Sequence, residues 1–341
     1  MNGESRGERF GRRLRTVPAV VAGFFVVTAL LPVLVVALLA YDAGRALRGR
    51  GRFSAVRLLL FGWVYLTVEM AGLTAMLLFW LVSGFGRARR LYVTFTYALQ
   101  GWWASALFGA VRLLFRVGLE VEGDEASTPG PMVLMMRHAS LADTLLPTVL
   151  VLRRHKIRLR YVLKRELLWD PALDVAGNVL PNCFLDRRST DAAAEVERVR
   201  ALGVGLGERD GVLIYPEGTR FTPEKRERTL EVLRRRFPHL VERAEALRGV
   251  LAPRQAGVLA LLEAGTDVVV CAHVGLDGLS HVKRIWSGGL VGVTVRVAFW
   301  RIAAGEIPAG EEARIDWLFA QWRRVDDWVC AHRAEPCAGP A

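Results

Sequence analysis

Two long apolar runs dominate the first ninety residues of the chain. The first, Val17 to Tyr41, contains no charged residue over 25 positions, and a helix of about 20 residues already crosses the hydrocarbon core of a bilayer. The second, Leu58 to Gly84, contains a single charged residue, Glu69. A cleavable signal peptide has an apolar core of only about 7–15 residues, so the pattern favours a membrane-anchoring helical hairpin over residues 1–90.

Arginine residues flank both runs. Five Arg precede the first run, three follow the second, and five lie between the two runs, of which four (Arg45, Arg48, Arg50 and Arg52) are in the loop. Positive residues concentrate on the cytoplasmic side of membrane proteins, so we expect the rest of the chain to lie on the cytoplasmic side of the cytoplasmic membrane. A hairpin that enters only one leaflet would also explain the Arg-rich loop. Three interpretations of Glu69 stay open: it has a function in the membrane, it makes a contact within the hairpin, or its side chain extends to the membrane surface.

The pattern changes twice after residue 90. Leu91 to Phe115 is Trp-rich and helical in pattern, which predicts an interfacial connecting helix over residues 91–118, with a third span as the alternative. Residues 119–335 then alternate between strand-like and helix-like segments, which indicates an α/β layered domain. Helices are expected at 144–155, 191–209 and 316–333, and residues 336–341 form a tail.

Composition narrows the possible partners. The chain has 52% apolar residues, a mean hydropathy of +0.26 and a formal net charge of +12. Nine of those twelve charges fall before residue 91, where thirteen Arg and no Lys stand against four acidic residues. Because these Arg flank apolar runs, they suit anionic lipid headgroups, and no aromatic-plus-basic motif for nucleic acid accompanies them.

The four cysteines form no CxxC pair and no dense framework, so we expect them to be reduced. Cys271, His273 and His281 could be read as a zinc site. They stand in "DVVVCAHVGLDG", however, where the alternation indicates a buried strand entering a turn, and core packing is the preferred interpretation. We expect no metal.

The segment "RHASLAD" combines a histidine with a carboxylate. His138 follows an apolar strand and Asp143 lies five residues later. The two side chains can meet only if His138 is in the turn and Asp143 is in the first helical turn, because five residues of continuous helix would separate them by about 140°. Such a pair would make His138 a general base. Ser140-x-x-Asp143 is also a capping box, which is the purely structural alternative.

A second segment, "IYPEGTR", follows another apolar strand. Arg220 offers a planar fork for a phosphate, and Gly218 lets the backbone approach a ligand closely. Glu217 can orient that guanidinium or bind a substrate hydroxyl, while Thr219 can cap a helix. Lys164 in "YVLKREL" and Arg187 in "FLDRRS" also stand at strand ends, and such groups converge where α/β sheets bind ligands. Each segment alone is compatible with an ordinary turn or surface charge.

Taken together, "RHASLAD", "NCFLDR" and "YPEGTR" resemble the ordered motif blocks of the glycerolipid acyltransferases, which include the 1-acylglycerol-3-phosphate acyltransferases. The resemblance covers roughly residues 119–333 and implies a central mixed sheet flanked by helices. Two departures concern substrate preference. Arg137 stands where the family usually has Asn, and the strand "VVVCAHV" lacks the usual Pro of the fourth block.

The resemblance implies acyl transfer from acyl-CoA or acyl carrier protein to a lysophospholipid hydroxyl, with 1-acyl-sn-glycerol-3-phosphate as the first acceptor to consider and phosphatidate as the product. Another lysophospholipid or glycerol 3-phosphate is the alternative, and a non-catalytic lipid-binding protein is the alternative of another class. His138 and Asp143 would act on the hydroxyl. The predicted substrate-binding residues are Lys164, Arg187, Glu217, Gly218, Thr219 and Arg220. The reaction needs no cofactor beyond the acyl-donor substrate.

Overall fold

The computed structural model describes residues 4–49, 52–140, 142–186, 191–277, 282–334 and 337. Three long helices open the chain: α1 (Arg6–Leu47), α2 (Ser54–Val82) and α3 (Arg89–Phe115). The first two are long and apolar enough to cross a membrane. Helix α1 starts eleven positions before the predicted apolar run, because Ser5 and Glu8 form a capping box in which each side chain accepts the other's backbone N–H.

A seven-stranded mixed sheet follows, as the sequence predicted. Its spatial order is β1-β7-β6-β2-β5-β3-β4, and every neighbouring pair is parallel except β6 and β7. The carboxyl ends of β2 to β6 therefore lie at one edge of the sheet. The strands are β1 (Gly118–Glu122), β2 (Met132–Met136), β3 (Arg158–Lys164), β4 (Cys183–Leu185), β5 (Asp210–Ile214), β6 (Asp267–Val274) and β7 (Thr294–Ile302).

Helices cover both faces of the sheet. Residues of alternate parity on β2, β5 and β6 point to opposite sides, and each side belongs to a separate apolar core. One core includes α3 together with Leu58 and Phe61 of α2, so the second apolar helix is part of the packing of the α/β unit. The other core includes α5, α6, α8 and α10. The remaining helices are α4 (Pro171–Val179), α5 (Ala192–Leu202), α6 (Pro223–Arg236), α7 (Val241–Glu245), α8 (Gln255–Leu262), α9 (Val282–Trp286) and α10 (Glu311–His332).

The three helices predicted in this domain have different bounds in the structure. The one expected at 316–333 runs from Glu311 to His332. The segment 144–155 is broken into a 3₁₀ turn at Ala142–Leu145 and a π-helical turn at Thr148–Arg153. Pro147 lies between them, and its ring and missing N–H prevent a continuous α-helix. The predicted helix 191–209 ends at Leu202, because Gly203 caps it and Gly205 adopts a left-handed φ of +64°.

The cysteines correct one expectation. Cys183 and Cys271 are free and buried, but Cys330 and Cys337 form a disulfide. Cys330 lies in the last turns of α10, and the chain returns after the helix so that the two Cα atoms are 5.5 Å apart. Spacing alone could not reveal this return, since seven residues of continued helix would have carried the two side chains about 10 Å apart.

Candidate active site

His138 lies in the loop that follows β2, held through its backbone. Its N–H donates to Glu217 Oε1 at 2.9 Å, and its carbonyl accepts the N–H of Phe221 at 2.9 Å. The aromatic ring of Tyr215 lies 4.6 Å from the imidazole, centroid to centroid. Only 6% of His138 is exposed, so the ring is fixed in place with a small part of its surface open to a ligand.

Asp143 completes the predicted pair. Its Oδ1 lies 3.1 Å from His138 Nδ1, and its Oδ2 accepts the N–H groups of Ala139 and Ser140 at 2.6 and 2.8 Å. Ser140 Oγ in turn accepts the N–H of Ala142 at 3.1 Å. The catalytic and capping interpretations are therefore compatible, because the bonds that begin the 3₁₀ turn also bring the carboxylate to the ring.

The pairing assigns the tautomer of His138. An ionised carboxylate can only accept, so Nδ1 must carry the proton that points to Asp143. Nε2 then has a lone pair available to a substrate. A neutral imidazole with one nitrogen oriented by a carboxylate and the other available is the arrangement of a general base.

Glu217 is fully engaged by backbone groups. Oε1 accepts the N–H of His138 and Oε2 accepts the N–H of Leu251 at 3.0 Å. Burial raises the pKa of Glu217 to about 7, against the opposing effect of Arg137 and the two amides. The carboxylate thus joins three loops, those after β2 and β5 and the one before α8. This differs from the expectation that it would meet a guanidinium or a substrate hydroxyl.

The rest of the "EGTR" segment forms a tight turn. Gly218 has a φ of +63°, and a Cβ there would lie 2.9 Å from the Arg254 side chain, so the position accommodates only glycine comfortably. Thr219 Oγ1 and the Arg220 carbonyl accept bonds from Lys225 Nζ at 3.2 and 3.1 Å. The half-buried Arg220 guanidinium makes no hydrogen bond or ion pair with any described residue.

One further predicted cation, Lys164, lies at the β3–β4 end of the same sheet edge. Lys164 is the last residue of β3 and stands beside Leu185 of β4. Arg187 lies outside the described residues. A cleft of about 620 Å³ opens here, lined by Arg165, Asp186 and Trp169 and by the first turns of α1. The sheet thus brings Lys164 and the "EGTR" turn to the edge that holds His138.

A buried network behind His138 was not predicted. The guanidinium of Arg137 is wholly buried and donates to the carbonyls of His273 and Gly249 and to Asp277 Oδ1, at 2.7, 3.0 and 2.5 Å. Burial alone would raise the pKa of Asp277, but Arg137 lowers it to about 2. The sequence signal was present, since Arg137 replaces the usual Asn of the family block, but its partners are over a hundred residues away.

The zinc interpretation of Cys271, His273 and His281 finds no support in the described residues. Cys271 and His273 are buried in β6, and His281 lies outside the described part of the chain. No three His, Cys, Asp or Glu side chains among the described residues are grouped so that they could hold a metal ion.

Comparisons with known proteins agree with this geometry. The family model described as Acyltransferase matches residues 118–274, which include every predicted site residue. The chain therefore carries an acyltransferase domain.

The fold is similar to that of one such enzyme. It matches the crystal structure of the 1-acyl-sn-glycerophosphate (LPA) acyltransferase PlsC from Thermotoga maritima with a TM-score of 0.51, over 81% of this chain and 97% of that one. The sequence identity is 17%, so this likeness concerns the fold. No curated protein sequence matches.

Proposed function

We propose that this acyltransferase moves a fatty acyl chain from acyl-CoA or acyl carrier protein to the free hydroxyl of 1-acyl-sn-glycerol-3-phosphate, giving phosphatidate. The observation that carries the proposal is the His138–Asp143 pair, in which His138 Nε2 is available at a sheet edge that also presents the half-buried guanidinium of Arg220. A protein that only binds lipids has no need of an oriented base.

The reaction requires one proton transfer in each direction. His138 Nε2 takes the hydroxyl proton of the acceptor as its oxygen attacks the thioester carbonyl, and Asp143 stabilises the resulting imidazolium. When the tetrahedral intermediate collapses, the C–S bond breaks and the leaving thiolate takes the proton from the imidazolium. No protein nucleophile is needed, because the acceptor hydroxyl itself forms the new ester bond.

Cations at the same edge suit the acceptor's phosphate. Arg220 immediately precedes Phe221, whose N–H donates to the His138 carbonyl, so the guanidinium and the base stand on adjoining loops. We assign Arg220 to the phosphate, with Lys164 and Arg187 as further contributors from the ends of β3 and β4. A phosphomonoester matches the forked donors of Arg. Gly218 and Thr219 shape the turn that presents Arg220.

The N-terminal helices favour the re-entrant arrangement over a transmembrane hairpin. Near the start of α1, Arg12 and Arg13 contact the buried Asp174 of α4 at 2.9 and 3.0 Å. Beyond its end, Ser54 Oγ donates to the Trp286 carbonyl at 2.5 Å and Arg52 to the Gly288 carbonyl at 3.2 Å. Both ends of the helix therefore touch the α/β unit. A helix that crossed the bilayer would place one end on the opposite side.

We therefore propose that the hairpin enters one leaflet, with its loop and the catalytic domain on the cytoplasmic face. The exposed apolar side chains of α1, such as Phe25 and Val33, would contact acyl chains. Cysteine placed at Arg48 should be labelled by an impermeant maleimide only after cell lysis. The matched control is cysteine at Arg235, an exposed residue of α6. Labelling at position 48 but not 235 in intact cells would disprove the arrangement.

The activity is tested with an acceptor panel. Washed membranes containing the protein receive labelled acyl-CoA or acyl carrier protein together with lysophosphatidate, lysophosphatidylcholine, lysophosphatidylglycerol or glycerol 3-phosphate. We expect phosphatidate to be the main product and to vanish with His138→Ala. Preference for another lysolipid or for glycerol 3-phosphate would change the assigned acceptor within the same chemistry. Equal product labelling by wild type and His138→Ala would refute the proposed acyl transfer with His138 as the base.

A further inference from the structure

A second histidine lies behind the pair. His273 is on β6, the strand next to β2, and is fully buried. Its Nε2 lies 2.9 Å from the carbonyl oxygen of Arg137 and 3.5 Å from Asp143 Oδ2. His273 Nε2 thus faces both the carbonyl of Arg137, the residue before His138, and the carboxylate of Asp143.

The contact with the carbonyl fixes the form of His273. A carbonyl can only accept, so Nε2 carries a hydrogen. Burial lowers the pKa of His273, and the ring is accordingly neutral with an unprotonated Nδ1. That Nδ1 has no hydrogen-bond partner among the described residues. An unpaired buried nitrogen is unfavourable, which an aliphatic residue at this position would avoid.

The advantage of a histidine at position 273 must therefore come from its Nε2–H group. Val268, Val269 and Val270 on the same strand show that aliphatic side chains fill other buried positions of β6. What His273 adds is a donor directed at the point where the Arg137 carbonyl and the Asp143 carboxylate converge. The hydrogen bonds to Asp143 Oδ2 come from the N–H groups of Ala139 and Ser140 and from His138 Nδ1, all in the loop after β2. The N–H of His273 is the polar group that approaches this oxygen from the sheet, at 3.5 Å.

We propose that His273 is a positioning residue for the acyl transfer assigned above: its Nε2–H holds Asp143 and the Arg137 carbonyl in the register that aims His138 at the acceptor hydroxyl. The inference rests on the proposed function. The donor comes from a core strand, so it ties the base-bearing loop to the sheet.

The charges around this point determine the direction of the effect. Asp143, Arg137 and Asp277 face His273, while Glu217 and Tyr215 face His138 from the loop after β5. Loss of the His273 N–H removes a polar hydrogen 3.5 Å from Asp143 Oδ2, so the carboxylate acts more strongly on the His138 ring. The imidazolium becomes more stable, and the base is protonated up to a higher pH.

The test compares His273→Leu, which keeps the volume without the donor, with His273→Gln, whose amide can place an N–H near the Nε2 position. We expect His273→Leu to lower kcat by about 10- to 100-fold, the scale of a misplaced catalytic group, with KM for the acceptor within about twofold. The acidic limb of the kcat profile should move to higher pH. His273→Gln should recover most of kcat. Val269→Ala, on the same strand, is the control and should leave the acidic limb of the kcat profile in place.

A double-mutant cycle separates positioning from general destabilisation. In an Asp143→Asn background, His273→Leu should have little further effect on kcat, because the carboxylate it positions is gone. Additive losses, or a fall in kcat without movement of the pH limb, would overturn the proposal. If His273→Leu is too unstable for assay, the comparison of wild type with His273→Gln remains, and an unchanged profile with a tenfold loss of kcat would count against it.

A substrate-free measurement keeps this test independent of the reaction. The titration of the His138 Cε1–H resonance, assigned by its loss in His138→Ala, should have a higher midpoint in His273→Leu than in wild type. Absence of acyl transfer by wild type would refute the proposed function, whereas an unmoved midpoint would refute the role of His273.

Discussion

The base and the cations share one sheet edge but are built differently. His138 and Asp143 are almost wholly buried, and each hydrogen-bonds to groups fixed by the fold. The Arg220 guanidinium, two residues past Gly218, is half-buried and bonds to none of the described residues. In the proposed mechanism, the fold thus sets the geometry of proton transfer in advance, whereas Arg220, the proposed phosphate ligand, is ordered only when the acceptor binds. Substitutions at the His138–Asp143 pair and its hydrogen-bond partners should alter kcat or folding. Substitutions at Arg220 should alter KM.

Removing the base gives the largest expected change. His138→Ala should lower kcat by about 10²- to 10⁴-fold, the range of general-base catalysis, while KM for the acceptor and the melting temperature change little. Steady-state kinetics and thermal unfolding of the purified protein measure both. A rise in KM with kcat preserved would assign His138 to acceptor binding. It would also remove the contrast between the His138–Asp143 pair and Arg220.

Breaking the loop junction should cost stability. Glu217→Ala leaves the buried N–H groups of His138 and Leu251 without their acceptor, and each unpaired amide costs about 1–3 kcal/mol. We expect denaturant unfolding to report a loss of about 2–5 kcal/mol. Glu224→Ala, on the polar surface of α6, is the control and should stay within about 0.5 kcal/mol. Equal effects would mean that Glu217 is not the junction.

Arg220 should show the opposite signature. Arg220→Ala removes charge-assisted bonds worth about 1.5–3 kcal/mol, so KM for lysophosphatidate should rise by about 10- to 100-fold with stability unchanged. Arg220→Lys should recover part of this loss, because it restores charge without the fork. Arg235→Ala, an exposed Arg of α6, is the matched control. A fall in kcat alone would place Arg220 in the chemistry.

Acid should weaken the buried network by a smaller amount. Because Arg137 lowers the pKa of Asp277 from 3.8 to about 2, the folded state holds this carboxylate ionised more firmly than the unfolded chain does. The pair therefore stabilises the protein above about pH 4, and its contribution of about 2 kcal/mol is lost as the pH falls towards 2. Unfolding of Asp277→Asn should lack this component, and identical pH profiles would contradict it.

Much of the site was predictable because its determinants are local. His138 and Asp143 are five residues apart, so their meeting depended only on one turn. The strand ends at Met136 and Ile214 could be read from apolar runs bounded by polar residues. The engagement of Glu217 was not readable, because its partners His138 and Leu251 belong to two other loops. The disulfide between Cys330 and Cys337 was unreadable for another reason: the two residues are only seven apart, but their sulfurs meet only because α10 ends between them.

By itself the sequence determined the long apolar helices, the alternation that builds the α/β unit and the chemical identity of the base and its carboxylate. These follow from short-range periodicity and from what each side chain can donate or accept. Only the tertiary structure decided which buried donors surround Asp143, that Arg137 pairs with Asp277, and that both ends of α1 return to the same unit. Such contacts join residues far apart in the chain, and their partners are selected by packing, which no local pattern encodes.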